Sequence, residues 1–513
     1  MALASRKMAA VAPDGLALAD EGAALAWREL DALLNRAANG LLARPFDKER
    51  RAAVFAGNAN ETVIAFLACL HAGVSAVPVN PKLKADELEY ILRESEAEIL
   101  FVDAETAELG LRVASGLGIA AVGWGCEGAA NLLLWDEWLA AQSEAPPPED
   151  MPPRRYLQFT SGTTGAPKAI DAVETTLPKA DTTADFFRIL GEWTAERPEG
   201  PHLCLGPLYF NASLTSVRIL AAGHPLVVMT KFDAAQALEL IDRHRIVTTL
   251  MVPTHFKRLL SLPESVRARF DISSLKVLTH TGAACPPEVK RAMIDWFGPV
   301  LVEAYGGTES GTTNVIHSLE WLAHPGSVGK TIAPFELEIY GEDGERLGPG
   351  QPGQIFFRDT RGRGIVYRGD PEKTAAAHRA PGVFTLGDVG YYDDEGFLYI
   401  TDRVSDMIVS GGENIYPAEI EHILVAHPAI ADAVVIGVPN SDLGEEAKAL
   451  VIPRDPAAPP ALDELLAYLR DRLAAYKCPR TVDFVDDVGR NPAGKVNKRI
   501  LRAPYWPSER TIG

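Results

Sequence analysis

Short, mostly apolar runs alternate with segments of helical periodicity through the first four hundred residues. Residues 51–56, 98–102, 246–252 and 275–279 are runs of strand length, whereas apolar residues in 61–72, 234–243 and 287–296 recur at three- and four-residue spacing. A strand that carries apolar residues on both faces has no face to give to water, so these strands are expected to be covered on both sides. Strands of that kind separated by helices make parallel sheets between helical layers, and the expected fold class is α/β. Residues 335–399 break the rhythm, because short strands there are cut by turns such as Gly348-Pro349-Gly350. That texture predicts an antiparallel β segment. Beyond Arg403 come a Gly-Gly turn, a helix from Pro417, a strand at 434–438 and a helix at 463–474, together a small α+β domain. The proline-rich stretch 145–153 reads as a connector, and no internal repeat is present.

A chain of 513 residues outgrows a single core, so at least two compact units are expected. The net charge of −19 argues against a general nucleic-acid binder, which would carry a basic face, but leaves room for a locally bound anionic nucleotide. Five scattered cysteines show neither zinc-ligand spacing nor a disulfide framework, which fits a reducing compartment. The most apolar stretch, 62–79, is interrupted by His71, Gly73, Ser75 and Pro78, and reads as a helix running into a buried strand, not as a membrane span. The opening residues lack the apolar core of a signal peptide, so a cytoplasmic protein is expected.

The strongest local signal begins where an apolar strand runs into Thr160-Ser161-Gly162-Thr163-Thr164-Gly165, followed by Lys168. Small residues let successive backbone N–H groups converge on one point, and hydroxyls and an ammonium add donors for phosphate oxygens. The Gly-Lys spacing is not that of a P-loop, and an isolated Ser/Thr/Gly hexapeptide is equally a surface turn. With the strand before it and the lysine after it, the segment resembles the phosphate loop of the adenylate-forming superfamily, which contains acyl-CoA synthetases, peptide-synthetase adenylation domains and luciferases.

The other motifs of that superfamily follow in order along nearly the whole chain. Tyr305-Gly306-Gly307-Thr308-Glu309 resembles its Y-G-x-T-E motif. Tyr305 can stack on a purine, Thr308 can bond the α-phosphate, Gly306 leaves room for the substrate carboxylate, and Glu309 can hold Mg²⁺. Gly282-Ala283-Ala284 matches the small residues lining the adenine pocket. Asp388 and Arg403 match residues that take the ribose hydroxyls and supply a cation nearby. The resemblance puts a hinge at Asp402, dividing the chain into domains 1–402 and 403–513. It also makes Gly411 and Gly412 part of a pantetheine tunnel, where a thin thiol arm passes close to backbone. Lys495, in Asn491-Pro492-Ala493-Gly494-Lys495, corresponds to the lysine of the adenylation step.

The resemblance implies two half-reactions. A carboxylate attacks the α-phosphorus of Mg²⁺-bound ATP, pyrophosphate leaves, and a thiol, expected to be coenzyme A, then displaces AMP from the acyl-adenylate. Lys168, Thr308, Glu309 and Lys495 are the expected catalytic residues. Transfer to an amine or a carrier-protein arm stays open, as do a non-catalytic nucleotide-binding regulator and a homodimer. The expected acyl pocket comprises Phe210, Asn211, His280 and Gly306. Two positions depart from the superfamily: Phe210 stands where many acyl-CoA synthetases have histidine, and Asn211 where amino-acid-activating domains have aspartate. A neutral amide gives an α-ammonium no counter-charge, so a simple aliphatic or aromatic acid is expected. Asn211 could instead serve backbone near a helix start.

Overall fold

The computed structural model describes residues 4–160, 168–171, 179–341, 343–403, 406–410, 413–440, 443–491 and 494–506. The chain divides into two compact units. The first is Met1–Thr281 with two short returns, Thr308–Gly311 and Val366–Pro371; the second is Gly282–Gly307, Thr312–Ile365 and Glu372–Gly513. Asp402 therefore lies inside the second unit.

The first unit has the expected parallel α/β character. One sheet runs Ser75–Val79, Arg51–Phe55, Ile99–Asp103, Ala120–Trp124, Leu132–Leu134, with every pairing parallel. Strand alternation distributes its residues between two cores. Ala52, Val54, Ile99 and Phe101 face one apolar cluster, while Ala53, Phe55, Leu100 and Val102 face the other. Both faces are thus covered, which is why these runs carry no polar alternation. In a second sheet Val277–His280, Thr248–Met251, His202–Cys204, Leu226–Val228 and Leu16–Ala19 lie parallel, and Ala24–Ala26 adds an antiparallel edge. Asn58, 7% exposed, fixes the chain beyond His202–Cys204. Its amide donates to the carbonyls of Gly206 and Met229, and its oxygen accepts from Leu208 N–H. A buried amide with these bonds filled anchors the segment leading to Phe210.

In the second unit the strands Phe335–Tyr340, Gly353–Asp359, His378–Ala380, Val383–Phe384, Asp388–Tyr392 and Leu398–Arg403 form an antiparallel sheet, as the turn-rich sequence implied. The C-terminal part pairs Ile430–Asn440 with Gly444–Pro453 and lays Thr481–Phe484 parallel beside the latter. Helices Pro417–Val425 and Leu462–Arg470 bury Ile420, Leu424, Leu465 and Leu469 against Val435 and Ala449. The helix expected over 463–474 stops at Arg470, and Leu473 turns back into the same core. Among the described residues no helix is long and apolar enough to cross a membrane.

Candidate active site

The Ser/Thr/Gly segment is mounted on a hairpin. Strands Leu157–Thr160 and Lys168–Asp171 pair antiparallel with Thr160 opposite Lys168. Ser161, Gly162, Thr163, Thr164 and Gly165 lie outside the described residues. The exit strand meets one of the returning segments, because Arg368 N–H donates to Ala169 O at 3.1 Å. The neighbouring Tyr367 hydroxyl donates to Glu309 Oε1 at 3.2 Å. Residues far apart in sequence thereby link the loop's base to Glu309, which is half-buried with Thr308. Tyr367 was missed by sequence reasoning, since nothing in the spacing of Gly364-Ile365-Val366-Tyr367 marks its hydroxyl as a partner.

A second cluster forms in the second unit. Asp388 opens the strand Asp388–Tyr392, and antiparallel register places it directly opposite Arg403. Arg403 Nε lies 3.3 Å from Asp388 Oδ1, and the Tyr305 hydroxyl donates to Oδ2 at 2.5 Å. Asp388 is 6% exposed. Burial pushes its carboxyl above the usual range, opposed by Arg403, Tyr305 and the charge of Lys495. The Tyr305 phenol is raised well above its ordinary value by burial and by the facing carboxylate. The structure thus brings together Tyr305, Asp388 and Arg403, which are remote in sequence, and puts the Lys495 charge near them. Lys495 is exposed and follows a turn closed by Asn491, whose side chain accepts from Lys495 N–H at 2.9 Å while its own N–H donates to Lys495 O. Gly494, at φ +77°, supplies the left-handed residue this turn requires.

Asp402 is 7% exposed and accepts from Arg403 N–H at 2.7 Å and from Ala418 N–H at 2.9 Å, the latter in the first turn of helix Pro417–Val425. Burial raises its carboxyl to about 6, opposed by Lys498. Lys498 also pairs with Glu421 at 2.8 Å. It escaped sequence reasoning because a lysine three residues past Lys495 reads as a solvated helix charge. Gly411 and Gly412 lie outside the described residues; the flanking strands Ile408–Ser410 and Glu413–Ile415 pair with Ser410 opposite Glu413. Gly282, at φ +88°, Ala283 and Ala284 form a partly exposed bend at the start of the second unit. Gly306 is exposed near the end of strand Leu301–Gly307.

In the expected acyl pocket, Phe210 is the cap residue of helix Asn211–Ala221 and Asn211 its first residue, with no side-chain cap hydrogen bond. His280 ends its strand fully buried, with its ring edge-on to Phe256 at 5.2 Å.

Among the described residues no group of three or more His, Cys, Asp or Glu side chains gathers to hold a metal. Glu309 offers a single carboxylate, a donor set that fits Mg²⁺ arriving with a polyphosphate and keeping phosphate and water ligands, not a metal caged by protein.

Residues 5–365 match the family model of AMP-binding enzymes, and residues 419–495 match that of the AMP-binding enzyme C-terminal domain. The chain belongs to the AMP-binding enzyme family. It is 33% identical to a feruloyl-CoA synthase of Amycolatopsis, covering 97% of this chain and 98% of the relative. It is 35% identical to a Mycobacterium tuberculosis ligase that joins a 7a-methyl-1,5-dioxo-octahydroindenyl propanoyl group to CoA, with 96% of both chains covered. The o-succinylbenzoate CoA synthetase of Bacillus subtilis, solved with its acyl-adenylate intermediate, superposes with a TM-score of 0.80 at 27% identity and 97% coverage of both chains.

Proposed function

We infer that this chain is an AMP-forming acid–thiol ligase: it activates a carboxylic acid with ATP as an acyl-adenylate and transfers the acyl group to coenzyme A. The observation that carries the residue assignments is the meeting of Tyr305, Asp388 and Arg403 with the charge of Lys495 nearby. A buried acid whose cations remain accessible suits a polar ligand such as a ribose. Asp388 accepts from the sugar hydroxyls, Arg403 adds a donor, and Tyr305 lies against the purine. Gly282, Ala283 and Ala284 leave space for the adenine edge. The loop 160–165 and Lys168 take the phosphates.

Carboxylates are poor acyl donors because oxide would have to leave. In the first step the carboxylate oxygen bonds to the α-phosphorus and the bond to pyrophosphate breaks. Lys495 and Thr308 hold the two anions together and donate to the oxygens on which charge builds. Mg²⁺, held through Glu309, would spread the phosphate charge, and Tyr367 orients that carboxylate. In the second step the thiol sulfur bonds to the acyl carbon and the acyl–oxygen bond to AMP breaks. Rotation about Asp402 would withdraw Lys495 and present Gly411 and Gly412 to the pantetheine arm. The acyl group enters beside Phe210, Asn211 and Gly306.

Mass spectrometry of products from the purified protein, ATP, Mg²⁺ and a panel of acids, with and without CoA, tests this reading. Acid-dependent AMP with acyl-CoA only when CoA is present is expected. AMP without thioester would move the acceptor to an amine or carrier protein, and no AMP with any acid would overturn the ligase assignment.

A further inference from the structure

Lys495 is exposed, but the backbone that carries it is held at every polar group of Gly494 and Lys495. Three of the four bonds go to Asn491. Its carbonyl accepts from Gly494 N–H at 2.8 Å, its side chain accepts from Lys495 N–H at 2.9 Å, and its own N–H donates to Lys495 O at 2.9 Å. Bonds within one turn set its shape but leave its direction open. The fourth bond differs, because Arg490 Nη1 donates to Gly494 O at 2.9 Å from a side chain that is tied elsewhere.

Arg490 grips Asp432 with its other two nitrogens. Nη2 donates to Oδ1 at 2.9 Å and Nε donates to Oδ2, the two-pronged pairing that a planar guanidinium makes with a carboxylate. Asp432 belongs to strand Ile430–Asn440, which pairs along its length with Gly444–Pro453, so the anchor is itself fixed. The two side chains keep only 33% and 16% of their surface exposed, and a fork shielded this far is not a loose surface pair. The chain beyond Lys495 returns to the same strand. Val496 packs against the cluster that holds Val434 and Ile436. Lys498 pairs with Glu421 at 2.8 Å, and that carboxylate accepts from Val435 N–H at 2.7 Å.

We propose that Arg490 is a positioning residue for adenylation: by tying the carbonyl before Lys495 to Asp432, it fixes the direction in which the Lys495 side chain leaves the backbone. Lysine carries its charge on a flexible four-carbon stem, so its ammonium meets the carboxylate and the α-phosphate only as often as the root of that stem points there. Pinning the peptide plane ahead of Lys495 removes that freedom without burying the charge, which would weaken the ammonium's hold on its proton. Arg490 acts through Lys495 and touches no reacting atom. This inference rests on the ligase reading and adds a residue to its first step.

The test separates the half-reactions. Acyl-adenylate formation is followed as acid-dependent pyrophosphate release in single turnovers, with aliphatic acids from acetate to hexadecanoate and with benzoate and cinnamate. Thioester formation is followed from supplied acyl-adenylate and CoA. Arg490→Met slows the first step by about 10- to 100-fold, the worth of hydrogen bonds from a charged group. KM for ATP is unchanged and the second step stays near the wild-type rate. Arg490→Lys recovers part of the loss, because one ammonium cannot keep both the fork and the carbonyl. Asp432→Asn, which keeps the side chain's volume, shows the same split more mildly and stands in should Arg490→Met fail to fold. Placed on Lys495→Ala, Arg490→Met costs nothing further, since the side chain it aims is gone. No loss in either step, equal loss in both, or a full additional loss in the double variant would overturn the inference while leaving the ligase reading intact. No pyrophosphate from the wild-type protein with any acid would overturn both.

Discussion

Glu303 and Asp388 are both buried carboxylates of the second unit, yet they are built to opposite ends. Glu303 meets Lys290 at 2.5 Å; the lysine side chain is 1% exposed and its ammonium lies 4.8 Å from the centre of the Trp321 ring. Burial raises the glutamate and lowers the lysine, as expected for a dry pair. Asp388 is raised by burial as well, but its partner Arg403 keeps 52% of its side chain exposed, and Lys495 is exposed. Burial of an acid therefore does not separate the two clusters. Accessibility of its cations does, because only an accessible cation can re-pair with an incoming ligand.

Breaking the closed pair is expected to have the largest effect. Lys290→Met takes the ammonium away from a buried carboxylate and should cost about 3–5 kcal/mol in urea denaturation, while a double change to apolar residues should recover much of it. A loss below about 1 kcal/mol would place this pair with exposed ones. On the open side, Lys495→Ala should leave stability unchanged and slow acyl-adenylate formation by about 10²–10³-fold, the usual cost of one transition-state donor. Thioester formation from supplied acyl-adenylate should stay near the wild-type rate; equal loss in both steps would remove the lysine's special role. Asp388→Asn keeps the side chain's volume and should raise KM for ATP about tenfold, the worth of a hydrogen bond to a charged group, without lowering the melting temperature. The same change at Glu303 should do the reverse.

Asp402 supplies a pH-dependent comparison. Its folded pKa is about 6, whereas the unfolded chain titrates near the ordinary aspartate value of about 4. The folded state holds the proton more tightly, so this group's contribution favours folding below about pH 4 and is lost as pH rises through about 6. Asp402→Asn should flatten denaturation midpoints across that window. The smallest change expected is from Tyr367→Phe, which removes one neutral donor to Glu309 and should weaken Mg²⁺-dependent turnover several-fold, by about 1 kcal/mol.

Much of this was legible in the sequence. The parallel strands declared themselves through short, mostly apolar runs, and the antiparallel segment through its turns. Tyr305, Asp388 and Arg403 were readable as separate motifs because each residue type suits its chemistry. Their convergence was not, since it depends on strand register that pairs Asp388 with Arg403. Lys498, Tyr367 and Lys290 were invisible for a related reason. A single lysine or tyrosine carries no local sign that a distant carboxylate is waiting for it.

The most direct measurement uses a carboxylic acid labelled with ¹⁸O in both carboxylate oxygens, turned over with ATP and CoA. If the carboxylate attacks the α-phosphorus, each AMP released with acyl-CoA carries one heavy oxygen and the pyrophosphate carries none. Heavy oxygen in inorganic phosphate, or in no phosphorus product, would contradict acyl-adenylate formation.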